Sequence, residues 1–276
     1  MLGGPSAIAR EFAHGDSPRM NRRHFLATGL ASLVVLPRLA RVARAIGPQQ
    51  KVALLRVQYD GHWDVNNGAL DVLSEETRLR TSTDLATLGV TVTAGSERMQ
   101  DSLFAVLAGD GPFAFDAATR QRLERWMGLG GFLVFDNTGR TAPDAGFDQS
   151  VRSELGKIFP DAPLERISPE HVLFRTFYRL DYPAGRAIFK PYVEAIRQGS
   201  RLCAVLIHND LTGALARDSI GNWVHQPVPG GESQREMAIR FGVNLVMYSA
   251  CLHYKDDQVH IDYLLHKRKW RISPPR

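Results

Sequence analysis

The chain has 276 residues, 44% of them hydrophobic and 23% charged, which excludes a disordered or low-complexity protein and leaves ample length for one large core or two small ones. Its formal charge of +5 at pH 7 is carried by residues 1–45, where seven Arg face only Glu11 and Asp16. The remainder is formally neutral, so a basic groove for nucleic acid is not expected.

The first residues have the parts of an export signal, in order. Asn21-Arg22-Arg23-His24-Phe25-Leu26 carries the paired arginines and following Phe-Leu of a twin-arginine leader, Ala27 to Leu36 is a short apolar segment, and Ala43-Arg44-Ala45 is a small-x-small cleavage site. That run is too short to span a bilayer, which needs roughly 20 apolar residues, so no transmembrane helix is expected in the mature chain. The expected organisation is a signal peptide over 1–45 and a single α/β domain over 46–276. The twin-arginine translocase is the partner during export, and the destination is periplasmic or extracellular. Met20 directly precedes the motif and is an alternative start to Met1. Cys203 and Cys251 then reach a compartment that permits disulfides, but both fall in apolar runs, which favours two inert thiols over a bridge.

Lys51 to Tyr59 reads as a strand closed by Asp60-Gly61, followed by a polar loop containing His62 and Trp63. Leu70, Leu73, Thr77 and Arg80, at spacings of three and four, predict a helix over 69–81. Val90 to Val92 is a short strand and Leu103 to Ala108 a buried one. The latter ends in Gly109-Asp110-Gly111-Pro112-Phe113, which has neither the third glycine of a dinucleotide fingerprint nor the Lys of a phosphate loop. Asp116 caps a helix running to Met127 with Leu123, Trp126 and Met127 inward. Phe132 to Phe135 is a strand ending in Asp136-Asn137, Thr138 to Asp148 a loop, and Ser150 to Phe159 a short helix. Val172 to Leu180 is expected as a strand before a turn through Gly185-Arg186, and Val193 to Ile196 begins a further short element.

Leu202 to Ile207 is a continuous apolar run, the pattern of a strand buried on both faces, and it stops abruptly at His208-Asn209-Asp210. A long loop through Arg217 and Trp223 leads to Pro229-Gly230-Gly231, and Glu232 to Leu252 is a long helix. Lys255-Asp256-Asp257 is expected to end that helix, with a last strand over Gln258 to Leu265 and a basic tail. Strand, loop and helix in alternation predict a doubly wound, mostly parallel sheet flanked by helices in three layers.

Open α/β sheets place ligands at the C-terminal strand edge, which nominates Asp60, His62, Trp63, Asp110, Asp136, His208, Asn209 and Asp210. On an extended backbone His208 and Asp210 lie on one face, and imidazole with carboxylates suits a metal or a general acid and base. The competing reading has the aspartates as caps, His208 bonded to backbone and Trp63 lying over the sheet edge. At the start of the long helix, Arg217 and Arg235 either contact an anion beside Glu232 or pair with neighbouring acids to pin the loop. No Gly-x-Ser-x-Gly elbow is present and both cysteines sit in core elements, which argues against nucleophilic hydrolysis.

Several stretches carry a resemblance: L-F-A-V-L-A-G-D-G-P-F at 103–113, G-G-F-L-V-F-D-N at 130–137, F-Y-R-L-D-Y at 177–182, I-H-N-D-L at 207–211 and G-E-S-Q-R-E-M-A-I-R-F-G-V-N-L-V-M-Y at 231–248. Over roughly 50–266 the chain resembles the bacterial domain-of-unknown-function family 4159. The resemblance implies a flavodoxin-like, class I glutamine-amidotransferase-like fold. Catalytic members of that superfamily carry a Cys on a sharp strand-to-helix turn, and here Gly109-Asp110-Gly111 stands at that turn, so amidotransferase chemistry is not implied. The expected function is a binding or assembly module holding a small ligand or a cell-envelope protein; the alternative is a metal- or carboxylate-dependent hydrolase of an envelope glycan or peptide. Neither reading specifies a cofactor.

Overall fold

The computed structural model describes residues 51–267, with the backbone alone for 251–267. The expected export signal and any pairing of Cys251 lie outside the described residues and side chains.

The elements in order are β1 (Leu55–Gln58), α1 (Ala69–Thr81), β2 (Val90–Thr93), β3 (Phe104–Gly109), α2 (Ala117–Gly128), β4 (Phe132–Asn137), α3 (Ala145–Ile158), β5 (Glu165–Ile167), β6 (Val193–Gln198), β7 (Arg201–Ile207), α4 (Leu211–Leu215) and α5 (Gly231–Lys267). The strands form one sheet in the order β2-β1-β3-β4-β7-β6-β5. Strands β1 to β4 and β7 are parallel, while β6 runs antiparallel to β7 and β5 antiparallel to β6.

The near-continuous apolar runs of β3, β4 and β7 follow from burial on both faces. Val106, Val134, Val205 and Ile207 face α1, α4 and α5, whereas Leu107, Leu133, Phe135 and Leu206 face α2 and α3. Successive side chains alternate between the two half-cores because the strand period is two. Cys203 lies in the second half-core, where burial pushes its thiol up to about 11, so it is un-ionised at neutral pH. Asp116 caps α2 as expected, its side chain accepting from Thr119 N at 2.6 Å.

Four segments away from the site depart from expectation. Helix α3 starts five residues before Ser150, because Asp144 caps it by accepting from Phe147 N at 2.8 Å; that cap lies unremarked in a stretch rich in Gly, Pro and Asp. A three-residue strand, β5, forms between Pro160 and Pro169, a stretch to which the sequence assigned no element. Residues 172–180 form a single 3₁₀ turn and irregular chain instead of a strand, since all seven sheet positions go to other segments. Helix α5 runs through 258–265 instead of yielding to a strand. Lys, Asp and Gln are compatible with helix, and no Gly or Pro interrupts 243–267 to stop it.

The irregular 172–180 segment is anchored by side chains of α5. Phe174 stacks on Phe241 with centroids 5.6 Å apart. Fully buried Asn244 accepts from Phe177 N at 3.2 Å and Tyr178 N at 2.7 Å, and donates to Tyr178 O at 2.8 Å. One side chain thus satisfies backbone groups that a strand would have paired with a neighbour. Asn244→Ala is expected to lower unfolding free energy by about 3 kcal/mol, the order of two or three buried hydrogen bonds left unmade. Chemical denaturation measures it, and a loss under about 1 kcal/mol would contradict this anchoring role.

Candidate functional site at the sheet's C-terminal edge

The chain leaves β1 toward β2 on one side and returns to β3 on the other, so a crevice opens where the two connections diverge. There, beyond the ends of β1, β3 and β4, lies a cavity of about 340 Å³.

One buried carboxylate, Asp210, lines it, and a second, Asp136, is sealed nearby without reaching the lining. Asp136, near the end of β4, has no exposed surface and accepts from Leu211 N at 2.9 Å, Thr212 N at 2.7 Å and Thr212 Oγ1 at 2.6 Å. It therefore satisfies orphan N–H groups at the start of α4. Asp210 precedes α4 in a left-handed conformation, φ 53°. Its Oδ1 accepts from Gly213 N and Asn66 Nδ2, both at 2.9 Å, and its Oδ2 accepts from Arg186 Nε. The carboxylate folds so closely over Gly213 that an added Cβ there would lie 2.2 Å from Asp210 Oδ2, so only glycine fits. Arg186 Nη2 donates to Gly139 O at 2.9 Å and Arg140 O at 3.1 Å, tying the loops after β4 and β7 together.

The walls carry groups less committed to the fold. His62 Nδ1 hydrogen-bonds Asp110 Oδ1, and the backbones of these two residues form an isolated antiparallel bridge. Thr138, directly after β4, is 7% exposed, and its hydroxyl has no partner among the described residues. Exposed Arg140 and half-buried His225 complete the polar lining, with Asp64, Val65 and Val224 at the edges. Burial holds the His225 imidazole below its ordinary pKa, with Asp210 partly opposing that shift.

The structure brings together His62, Asp110 and Asp210 around the cavity and leaves the other nominated residues, the fully buried Asp136 among them, outside its lining. Asp60 is exposed and does not line the cavity. Trp63 lies over the sheet edge, half-buried against the core, with the Arg56 guanidinium 5.1 Å from its ring centre. Asn209 is fully spent: it accepts from Phe189 N and Lys190 N and donates to Pro183 O and Lys190 O, at 2.6 to 2.9 Å.

His208 and Asp210 do not share a face. Strand β7 ends at Ile207, and the left-handed turn at Asp210 breaks the period-two argument that joined them. The His208 ring instead points to Glu194, with Nε2 to Oε2 2.8 Å.

Arg217 and Arg235 both stack on Trp223, at 4.1 and 4.2 Å from the ring centre. Buried Arg235 also pairs with exposed Glu232 at 3.0 and 3.1 Å and donates to Ala214 O and His225 O. These residues pin the loop between α4 and α5, and that loop opens with a helix, α4, which sequence reading left as irregular chain. Sequence reading also passed over Asn66, Thr138, Arg186 and His225. Only their positions, just beyond strands or inside one long loop, signalled them.

Burial is the largest force raising the Asp136 pKa, and the neighbouring Asp210 charge adds to it. The folded chain then binds a proton at Asp136 more tightly than the unfolded chain does. This group's contribution to stability is therefore fully present below the ordinary carboxylate pKa and is lost as pH rises through the folded value. Carboxyl carbon NMR is expected to place the Asp136 midpoint above that of exposed Asp116, which the Thr119 N–H holds below its usual range. The reverse order would contradict the assigned burial.

No curated protein matches this chain. Residues 52–250 match the model of the family described as "Domain of unknown function (DUF4159)", and the chain belongs to that family.

Proposed function

We propose that this protein is an exported binding module of the cell envelope, holding a small polar ligand in the cavity at the β1/β3 switch point. The observation that carries this reading is the Thr138 hydroxyl, buried at the cavity wall with no partner among the described residues. A buried polar atom left unpaired costs on the order of 1–3 kcal/mol, which a hydrogen-bonding ligand would recover.

The surrounding chemistry favours binding over catalysis. Asp210 and Arg186 pair with each other at the cavity, and Asp136 is sealed from it, so all three are committed to bonds that hold the fold. Thr138, Arg140, His62, Asp110 and His225 offer donors and acceptors of both kinds around the rim. Val65 and Val224 are the apolar residues among the eleven that line the cavity, and carbon and polar surface share its walls, which suits a small ligand that sets hydroxyl or amide groups on a carbon frame, such as a monosaccharide or dipeptide. In amidotransferase-like folds a nucleophilic Cys sits on the sharp turn after the corresponding strand; here the turn after β3 is Gly109-Asp110-Gly111, without a Cys, and the left-handed backbone falls on Gly111. Export rests on the leader motifs that follow one another in the sequence at 21–45, and no described helix is long and apolar enough to cross a membrane.

Thermal denaturation against a panel of monosaccharides, amino sugars and dipeptides is expected to reveal a stabilising compound whose effect shrinks in Thr138→Val and Arg140→Ala. A panel without a stabilising compound, or a shift that survives both substitutions, would sink the ligand assignment. For export, fractionation of cells expressing the full chain is expected to find it outside the cytoplasm. An Arg22→Lys, Arg23→Lys double variant should accumulate inside; equal distribution of the two would refute the twin-arginine route.

A further inference from the structure

We propose that Asp148, Glu194 and His208 form a binding site for one divalent transition-metal ion of the zinc type, separate from the switch-point cavity. One carboxylate oxygen from each acid and one imidazole nitrogen all lie within 4.8 Å of one another. One imidazole with two carboxylates is a donor set suited to Zn²⁺, and three protein ligands leave a coordination position for water or substrate.

The three residues come from rigid elements. Glu194 on β6 pairs with Leu206 of β7, and His208 stands two residues beyond Leu206, diagonal to Glu194 on the same sheet face. Helix α3 packs on that face through Phe147, Val151 and Leu155, and Asp148 in its first turn is 3.7 Å from His208 Nδ1. Glu194 and His208 are 8% and 3% exposed at the base of an open cleft of about 500 Å³. The placement of the donors is therefore set by sheet register and helix packing, which is the preorganisation a metal site needs.

With His208 neutral, as a metal ligand must be, the two carboxylates exceed the one guanidinium that bridges them by one negative charge. That guanidinium is Arg152, which reaches Glu194 Oε2 at 2.6 Å and Asp148 Oδ2 at 2.7 Å. Its side chain is 42% exposed, so it can swing into solvent and yield the carboxylates to an ion. Arg166, stacked on Tyr192 at 4.4 Å, and Lys190 stand on the rim and oppose a cation held by charge alone. The ion must then gain from the imidazole nitrogen, which favours Zn²⁺ over Ca²⁺.

Calorimetric titration of the untagged full chain with Zn²⁺ is expected to give one ion per chain. Affinity should be roughly tenfold weaker or worse in His208→Gln and in Asp148→Ala, and several-fold tighter in Arg152→Gln. Cobalt substitution should give visible d–d absorption that His208→Gln removes. Asp148 is half-exposed, so Asp148→Ala keeps the test valid where the buried His208 variant fails to fold, with circular dichroism checking each variant. Absence of saturable one-to-one binding overturns the proposal, as does binding that both ligand variants leave unchanged. Arg152→Gln binding no tighter than wild type overturns the exchange of guanidinium for metal.

Discussion

A carboxylate sealed from water, Asp136 near the end of β4, sets the geometry of this sheet edge. Its charge is too costly to bury unless donors surround it, and Leu211 N, Thr212 N and Thr212 Oγ1 supply them. The chain leaving β7 must therefore bend across β4 as soon as the strand ends. Three residues absorb that bend: His208 turns toward Glu194, Asn209 is locked by four hydrogen bonds, and Asp210 adopts a left-handed backbone. One local requirement thus splits neighbouring residues between two clefts on opposite sides of Asn209.

The split explains which parts of the site were legible. The sheet was readable because β3, β4 and β7 must be apolar on both faces, and their runs stand out as Leu103 to Ala108, Phe132 to Phe135 and Leu202 to Ile207. The strand edge was readable because each run gives way to a polar residue within two positions: Asp110, Asp136 and His208. The assignment of side chains to one cleft or the other was not readable. It depends on the φ of Asp210 and on which donors reach Asp136, and neither leaves a periodic trace. Glu194 and Asp148 could not be joined to His208 from sequence either, because sheet register and the packing of α3 bring them together across 14 and 60 positions. Here 14 and 60 are the differences between residue numbers 194 and 208, and 148 and 208.

Irregular chain was the other blind spot, and α5 is the reason that chain is ordered. Gln234 Nε2 donates to Gly185 O at 2.8 Å, Arg186 O at 3.1 Å and Val228 O at 3.0 Å. Arg235 reaches Ala214 O and His225 O, and Asn244 closes on Phe177 and Tyr178. Three buried polar side chains on one helix do for these loops what ladder partners do for strands. They read from sequence as polar interruptions in an amphipathic helix, yet two of them, Gln234 and Arg235, hold the backbones of Arg186 and His225 at the cavity. Because Gln234 bonds the backbone of Arg186 and Arg186 bonds Asp210, the helix, the loop and the buried carboxylates form one connected polar network. A polar ligand entering the cavity would meet Asp210 and Arg186 already held by that network, with the exposed His62, Asp64, Arg140 and Val224 and half-buried His225 on its walls. In such a site the protein's share of the ordering entropy of binding falls on a few wall residues, which lowers one of the costs that a small ligand's contacts must offset.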